Sequence, residues 1–125
     1  MDGKKIILLV EDDHTLRRSI GFFLEVEGFL VIEAGNGREA LEVIAHSPPD
    51  LIVTDIMMPE MDGVQFYMTL KEDPASREIP VIALTVKNAL QDHQYASYLG
   101  MDEYLNKPFD PQELMGKIRK LLEKY

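Results

Sequence analysis

Apolar residues along the chain fall into two alternating rhythms. Short, nearly unbroken apolar runs occupy residues 6–10, 29–32, 51–54, 81–84 and 103–105. Their length and their content of branched residues fit buried strands. Between the runs, apolar positions recur every three or four residues. Leu16, Ile20, Phe23 and Leu24 share one helical face, and Gly28 stops that helix. Ala40, Leu41, Ile44 and Ala45 form a second stripe, closed by Ser47-Pro48-Pro49. A loop with Pro59 and Asp62-Gly63 leads into a third stripe of Val64, Tyr67 and Leu70, and Pro74 and Pro80 bracket the next connection. Residues 88–99 predict a fourth helix with a thin stripe of Ala89, Ala96 and Leu99. The fifth helix has the clearest start: Asp110 as N-cap, Pro111 in the first turn and Glu113 completing a capping-box pattern. Leu114, Ile118, Leu121 and Leu122 are its apolar stripe.

Strands alternating with helices predict a parallel sheet covered on both faces. Right-handed crossovers then give a doubly wound (βα)5 α/β fold. No repeat, linker or low-complexity tail interrupts the pattern, so residues 1–125 read as a single domain, long enough to bury a core.

Composition narrows the function. The chain is 46% hydrophobic and 28% charged, ordinary for a globular protein, with a formal net charge of −9. Phosphate backbones and anionic membrane surfaces attract clustered Lys and Arg, so neither nucleic acid nor membrane is expected as a partner. There is no cysteine, which excludes disulfides, thiolate metal sites and Cys nucleophiles and fits a reducing cytoplasm. The first apolar run is too short for a signal peptide, and no stretch approaches a membrane span. A cytoplasmic location is the expectation.

The chemistry gathers at the strand ends. The first run leads into Glu11-Asp12-Asp13, the third into Asp55 and the fourth into Thr85, while Lys107 follows the fifth. In an open parallel sheet these ends emerge along one edge, where ligands bind. Two carboxylates about 4 Å apart repel by roughly 4 kcal/mol at an effective dielectric near 20, so Glu11, Asp12 and Asp55 together call for a cation or a proton. Mg²⁺ suits them, since it takes oxygen ligands and keeps several waters. Asp55 is the candidate nucleophile, able to attack phosphorus and form an acyl phosphate. Lys107 and the Thr85 hydroxyl would orient and neutralise the transferring oxygens. Among the neighbouring residues, Asp13 reads as a helix cap, His14 as a first-turn surface residue and Arg17-Arg18 as solvated helix charge. Met57, Met58, Met61 and Met68 read as packing and loop apolars.

The segments Leu8-Leu9-Val10-Glu11-Asp12-Asp13, Pro49 through Gly63 around Asp55, Pro80 through Thr85, and Tyr104-Leu105-Asn106-Lys107-Pro108-Phe109 together resemble the receiver domains of two-component response regulators, the CheY-like family. The resemblance covers essentially the whole chain, in order. It implies a flavodoxin-like five-stranded sheet of order 2-1-3-4-5. It implies that Asp55 takes a phosphoryl group from a histidine kinase or histidine phosphotransfer protein in a Mg²⁺-dependent reaction. Asp12, Asp55 and the backbone carbonyl of Met57 would ligate the ion, with Glu11 acting through water. Lys107 would contact the phosphoryl oxygens, and Lys107-Pro108 would be a cis peptide. Thr85 and Tyr104 would form the switch pair that remodels the face of the fourth helix, fifth strand and fifth helix toward a downstream protein. Such a domain is a signalling module, not an enzyme, and works as a monomer or a phosphorylation-dependent homodimer. It is found alone or within a longer protein. Two positions depart from the commonest pattern: Val86 stands where Ala or Gly is usual, and Glu11 replaces the more frequent Asp. In the family, the positions held here by Met57 and Lys87 border the approach of hydrolytic water; their bulk and charge, with further crowding from Val86, predict slow self-dephosphorylation.

Three other functions fit less well. An aspartyl-phosphate phosphatase of the haloacid dehalogenase type needs a second Asp two residues after its nucleophile, and Met57 stands there. A flavodoxin-like cofactor site would offer hydroxyls and N–H groups to a phosphate, which Glu11-Asp12-Asp13 would repel. An unphosphorylated scaffold receiver would not need the complete set of acids, Thr and Lys.

Overall fold

The computed structural model describes residues 3–56, 63–86 and 101–124. Strands β1 (Ile6–Val10), β2 (Leu30–Ala34), β3 (Leu51–Asp55), β4 (Val81–Val86) and β5 (Glu103–Lys107) form one sheet, paired in the order β2-β1-β3-β4-β5. Every pairing is parallel. Helices α1 (His14–Val26), α2 (Gly37–His46) and α3 (Gly63–Glu72) follow the first three strands, and a C-terminal helix (Pro111–Lys124) follows β5. The fourth helix expected at residues 88–99 lies outside the described residues, as do Met57 and Lys87.

Side chains alternate across a strand, and here both faces of the sheet are covered, which is why the strands read as continuous apolar runs. Leu8, Val10, Ile52, Val81 and Ala83 face one layer, where α2 and α3 contribute Ala40, Ile44, Phe66, Tyr67 and Leu70. Ile7, Leu9, Leu51, Val53, Ile82 and Leu84 face the other, where α1 and the C-terminal helix contribute Ile20, Leu24, Leu114, Met115 and Ile118. Each fully buried Val, Leu, Ile or Phe side chain among them contributes about 1.5–3 kcal/mol. Phe66 and Met115 are core residues that the helical stripes did not include.

The second strand is displaced from its expected span of 29–32. Gly28 adopts a positive φ of 105°, and the Phe29 N–H donates to Leu24 O. Phe29 therefore belongs to the helix stop rather than to the strand. At the other end the strand continues through Glu33 to Ala34. The charge of Glu33 masked this continuation, but Arg17 and Arg18 of α1 pair with it. The start of the C-terminal helix is as expected: the Asp110 N–H donates to Glu113 Oε1 (3.0 Å), and the Gln112 N–H donates to Asp110 Oδ1 (2.9 Å).

Candidate functional site

The ends of β1, β3 and β5 bring four charged groups together. Past β1, the Glu11 N–H still donates to Ala34 O (3.1 Å), so the chain leaves the sheet only after Glu11. The Glu11 side chain is 1% exposed. Asp13 caps α1, its Oδ1 accepting from the Leu16 N–H at 3.1 Å. Between them Asp12 is exposed. Asp55 is the last residue of β3 and is buried. Glu11, Asp12 and Asp55 offer carboxylate oxygens that all lie within 4.8 Å of one another.

Lys107 completes the cluster from β5, which lies beyond β4 in the sheet. Its Nζ donates to Glu11 Oε1 (2.8 Å) and to Asp55 Oδ2 (3.1 Å). Its long stem thus spans the end of β4, and the peptide bond to Pro108 is cis. The second Glu11 oxygen accepts from the Asp13 N–H at 3.2 Å.

Burial dominates the electrostatics of Glu11. It pushes the carboxyl up to about 7, the Lys107 hydrogen bond opposes that rise, and the Asp55 charge adds to it. For Lys107 burial favours the neutral amine, but the Glu11 hydrogen bond and the charges of Asp55 and Glu11 outweigh it and hold the ammonium above its ordinary range. Three carboxylates against one ammonium leave a formal charge of −2 when all are ionised. An all-oxygen donor set with that charge and one water-facing member suits a hard divalent cation that retains water, such as Mg²⁺.

The remaining expected residues lie nearby. Thr85, in β4, is fully buried, and its Oγ1 donates to Asn106 Oδ1 at 2.6 Å. Tyr104 is half-buried against the layer that holds α2 and α3, in register with Ala83 of β4. Thr85 and Asn106 are likewise register partners. Sequence reasoning missed two participants. Asn106 stands out in the sequence only as part of a motif, although its place on a strand between Tyr104 and Lys107 is a usable signal. Arg17 reads as solvated charge in the sequence, yet its Nη1 donates to Glu11 O at 2.7 Å. An acid at position 33 in an otherwise apolar strand was the sign that a cation had to meet it.

Comparison with known proteins agrees with this geometry. Residues 7–119 match the family described as response regulator receiver domain, and the chain belongs to that family. It is 42% identical over 117 residues to response regulator Rre1 of Synechocystis sp., covering 93% of this chain and 51% of Rre1. It is 40% identical to protein PilG of Pseudomonas aeruginosa, covering 94% of this chain and 87% of PilG. To the phosphate regulon transcriptional regulatory protein PhoB of Escherichia coli it is 36% identical, covering 94% of this chain and 52% of PhoB. The chain thus spans about half the length of Rre1 and of PhoB. Among solved structures, the signal receiver domain of a histidine kinase from Syntrophus aciditrophicus superposes with a TM-score of 0.90 at 36% identity, covering 96% of this chain and 91% of that one. Chemotaxis protein CheY4 of Vibrio cholerae gives 0.87 at 27% identity, covering 94% and 98%. Among the described residues, no helix is long and apolar enough to cross a membrane.

Proposed function

We propose that residues 1–125 form one receiver domain whose Asp55 accepts a phosphoryl group from a histidine kinase or histidine phosphotransfer protein. An Asp55 carboxylate oxygen attacks phosphorus, the P–N bond of the phosphohistidine breaks, and its electron pair returns to the imidazole. The product is an acyl phosphate on Asp55, which water later hydrolyses slowly. Asp12, Asp55 and the Met57 carbonyl would hold Mg²⁺, with Glu11 acting through water. The bound ion supplies positive charge to the transferring oxygens. The observation that carries this reading is the Lys107 ammonium bridging Asp55 and Glu11 beside the exposed Asp12 carboxylate. It supplies a nucleophile, a fixed cation and a metal-binding face in one cluster.

In the phosphorylated state the Thr85 hydroxyl leaves Asn106 for a phosphoryl oxygen, and Tyr104 moves inward behind it. The surface around β5 and the C-terminal helix then changes its affinity for a downstream protein. The domain signals by this change and turns over no external substrate beyond its own phosphotransfer. Incubation with a radiolabelled, autophosphorylated histidine kinase tests the reading. Label should pass to the wild-type chain and not to Asp55→Asn; equal labelling of both would contradict it.

A further inference from the structure

Arg17 joins the acidic loop to the edge of the sheet. Its side chain is only 16% exposed, unusual for an arginine on a surface helix. Nε donates to Glu33 Oε1 at 3.0 Å, and Nη1 donates to the backbone carbonyl of Glu11 at 2.7 Å. The other end of Glu11 is fastened as well, since its N–H donates to Ala34 O. Arg18, itself exposed, pairs with the second oxygen of Glu33, a solvent-screened contact that contributes little to holding it. That oxygen comes 3.2 Å from where a Cβ on Gly21 would stand, so the Glu33 carboxylate lies close against the α1 backbone. The guanidinium is therefore held by a rigid anion and aims at a main-chain oxygen, not at the carboxylates of Glu11 or Asp12.

We infer that Arg17 is a positioning residue for cation binding: it fixes the Glu11 main chain so that the Asp12 carboxylate stays beside Asp55 despite like-charge repulsion. This rests on the metal reading of the acid cluster. Asp12 accepts no hydrogen bond among the described residues, so its place is set by the backbone on either side. On one side stands the Asp13 cap and on the other the Arg17 clamp. Because Glu33 balances the guanidinium, Arg17 restrains the loop without competing with a metal for its ligands. The clamp needs a fork that donates in two directions at once, which a lysine ammonium on a flexible stem does not reproduce.

Mg²⁺ titration followed by amide NMR tests this, on wild type, Arg17→Gln, Arg17→Lys, Arg18→Gln and Asp12→Ala, with urea unfolding of each in parallel. The expected result is a Kd raised about tenfold in both Arg17 variants and unchanged within twofold in Arg18→Gln. A purely electrostatic role would leave Arg17→Lys like wild type. A general role in stability would weaken binding in Arg18→Gln in proportion to its loss of urea resistance. If Arg17→Gln does not fold, Arg17→Lys against Arg18→Gln carries the same contrast. Wild-type affinity in either folded Arg17 variant overturns the inference alone. Wild-type protein that shows no saturable Mg²⁺ binding, or binding that persists in Asp12→Ala, overturns the metal reading and the inference with it.

Discussion

The Lys107 ammonium lies 2.8 Å from Glu11 Oε1, a contact between residues at opposite ends of the chain that closes the site over the edge of the sheet. Glu11 is nonetheless pushed up to about 7 from its ordinary 4.5, chiefly by burial. Lys107 therefore neutralises the pocket only in part, and below pH 7 a proton on Glu11 takes up one further charge, leaving −1.

The Mg²⁺ binding proposed for this cluster is then pH-dependent. A carboxyl whose folded pKa is raised holds its proton more tightly when folded. Its stabilising contribution is complete below 4.5 and is lost as pH rises through 7. In metal-free protein, the stability of wild type relative to Glu11→Gln should therefore fall between pH 4.5 and 8, by an amount on the order of 3 kcal/mol at most. A metal that needs the ionised carboxylate expels that proton, so the apparent Mg²⁺ affinity should rise about tenfold from pH 6 to pH 8 and then level off. Calorimetric titration at several pH values checks this. An affinity flat across that range, or the same slope in Glu11→Gln, would show that Glu11 is not the titrating group.

Asp12 has no structural duty in the described residues, because Asp13 is the cap of α1. Asp12→Ala should relieve repulsion and raise the metal-free Tm by about 2–4 °C while abolishing Mg²⁺ binding and phosphorylation. Thermal unfolding with and without chelator measures both. A fall in metal-free Tm would make Asp12 structural after all.

Much of this was legible in the sequence, and the reasons are local. The strand-end acids, Asp55, Thr85 and Lys107 stand out because each follows an apolar run, and a parallel sheet delivers strand ends to one edge. The cap at Asp110 is written within four residues. What escaped depends on partners far apart in sequence. Arg17 and Glu33 each look like surface charge until the β1–β2 register sets Glu33 opposite Leu9 and turns it toward α1. The far end of the second strand is hidden for the same reason, since Glu33 counts as a break unless its cation is known. Burial, not composition, sets the raised pKa of Glu11, and no sequence pattern reports it.

The Thr85–Asn106 hydrogen bond of 2.6 Å occupies the hydroxyl that is proposed to turn toward the phosphoryl group. A bond of this kind contributes about 0.5–1.5 kcal/mol net. Asn106→Ala should remove that restraint and raise the affinity for the phosphoryl mimic beryllofluoride roughly three- to tenfold. Thr85→Val should lower it. Fluorine NMR titration reads both. Unchanged affinity in Asn106→Ala would mean the hydrogen bond does not hold the resting state.

Asp55 is proposed as the single phosphoacceptor, dependent on the metal. Intact-protein mass spectrometry after incubation with acetyl phosphate and Mg²⁺ addresses it most directly. Wild type should gain one phosphoryl group, and Asp55→Asn, or wild type with the metal chelated, should gain none. The same gain in Asp55→Asn, or in wild type without metal, would contradict it.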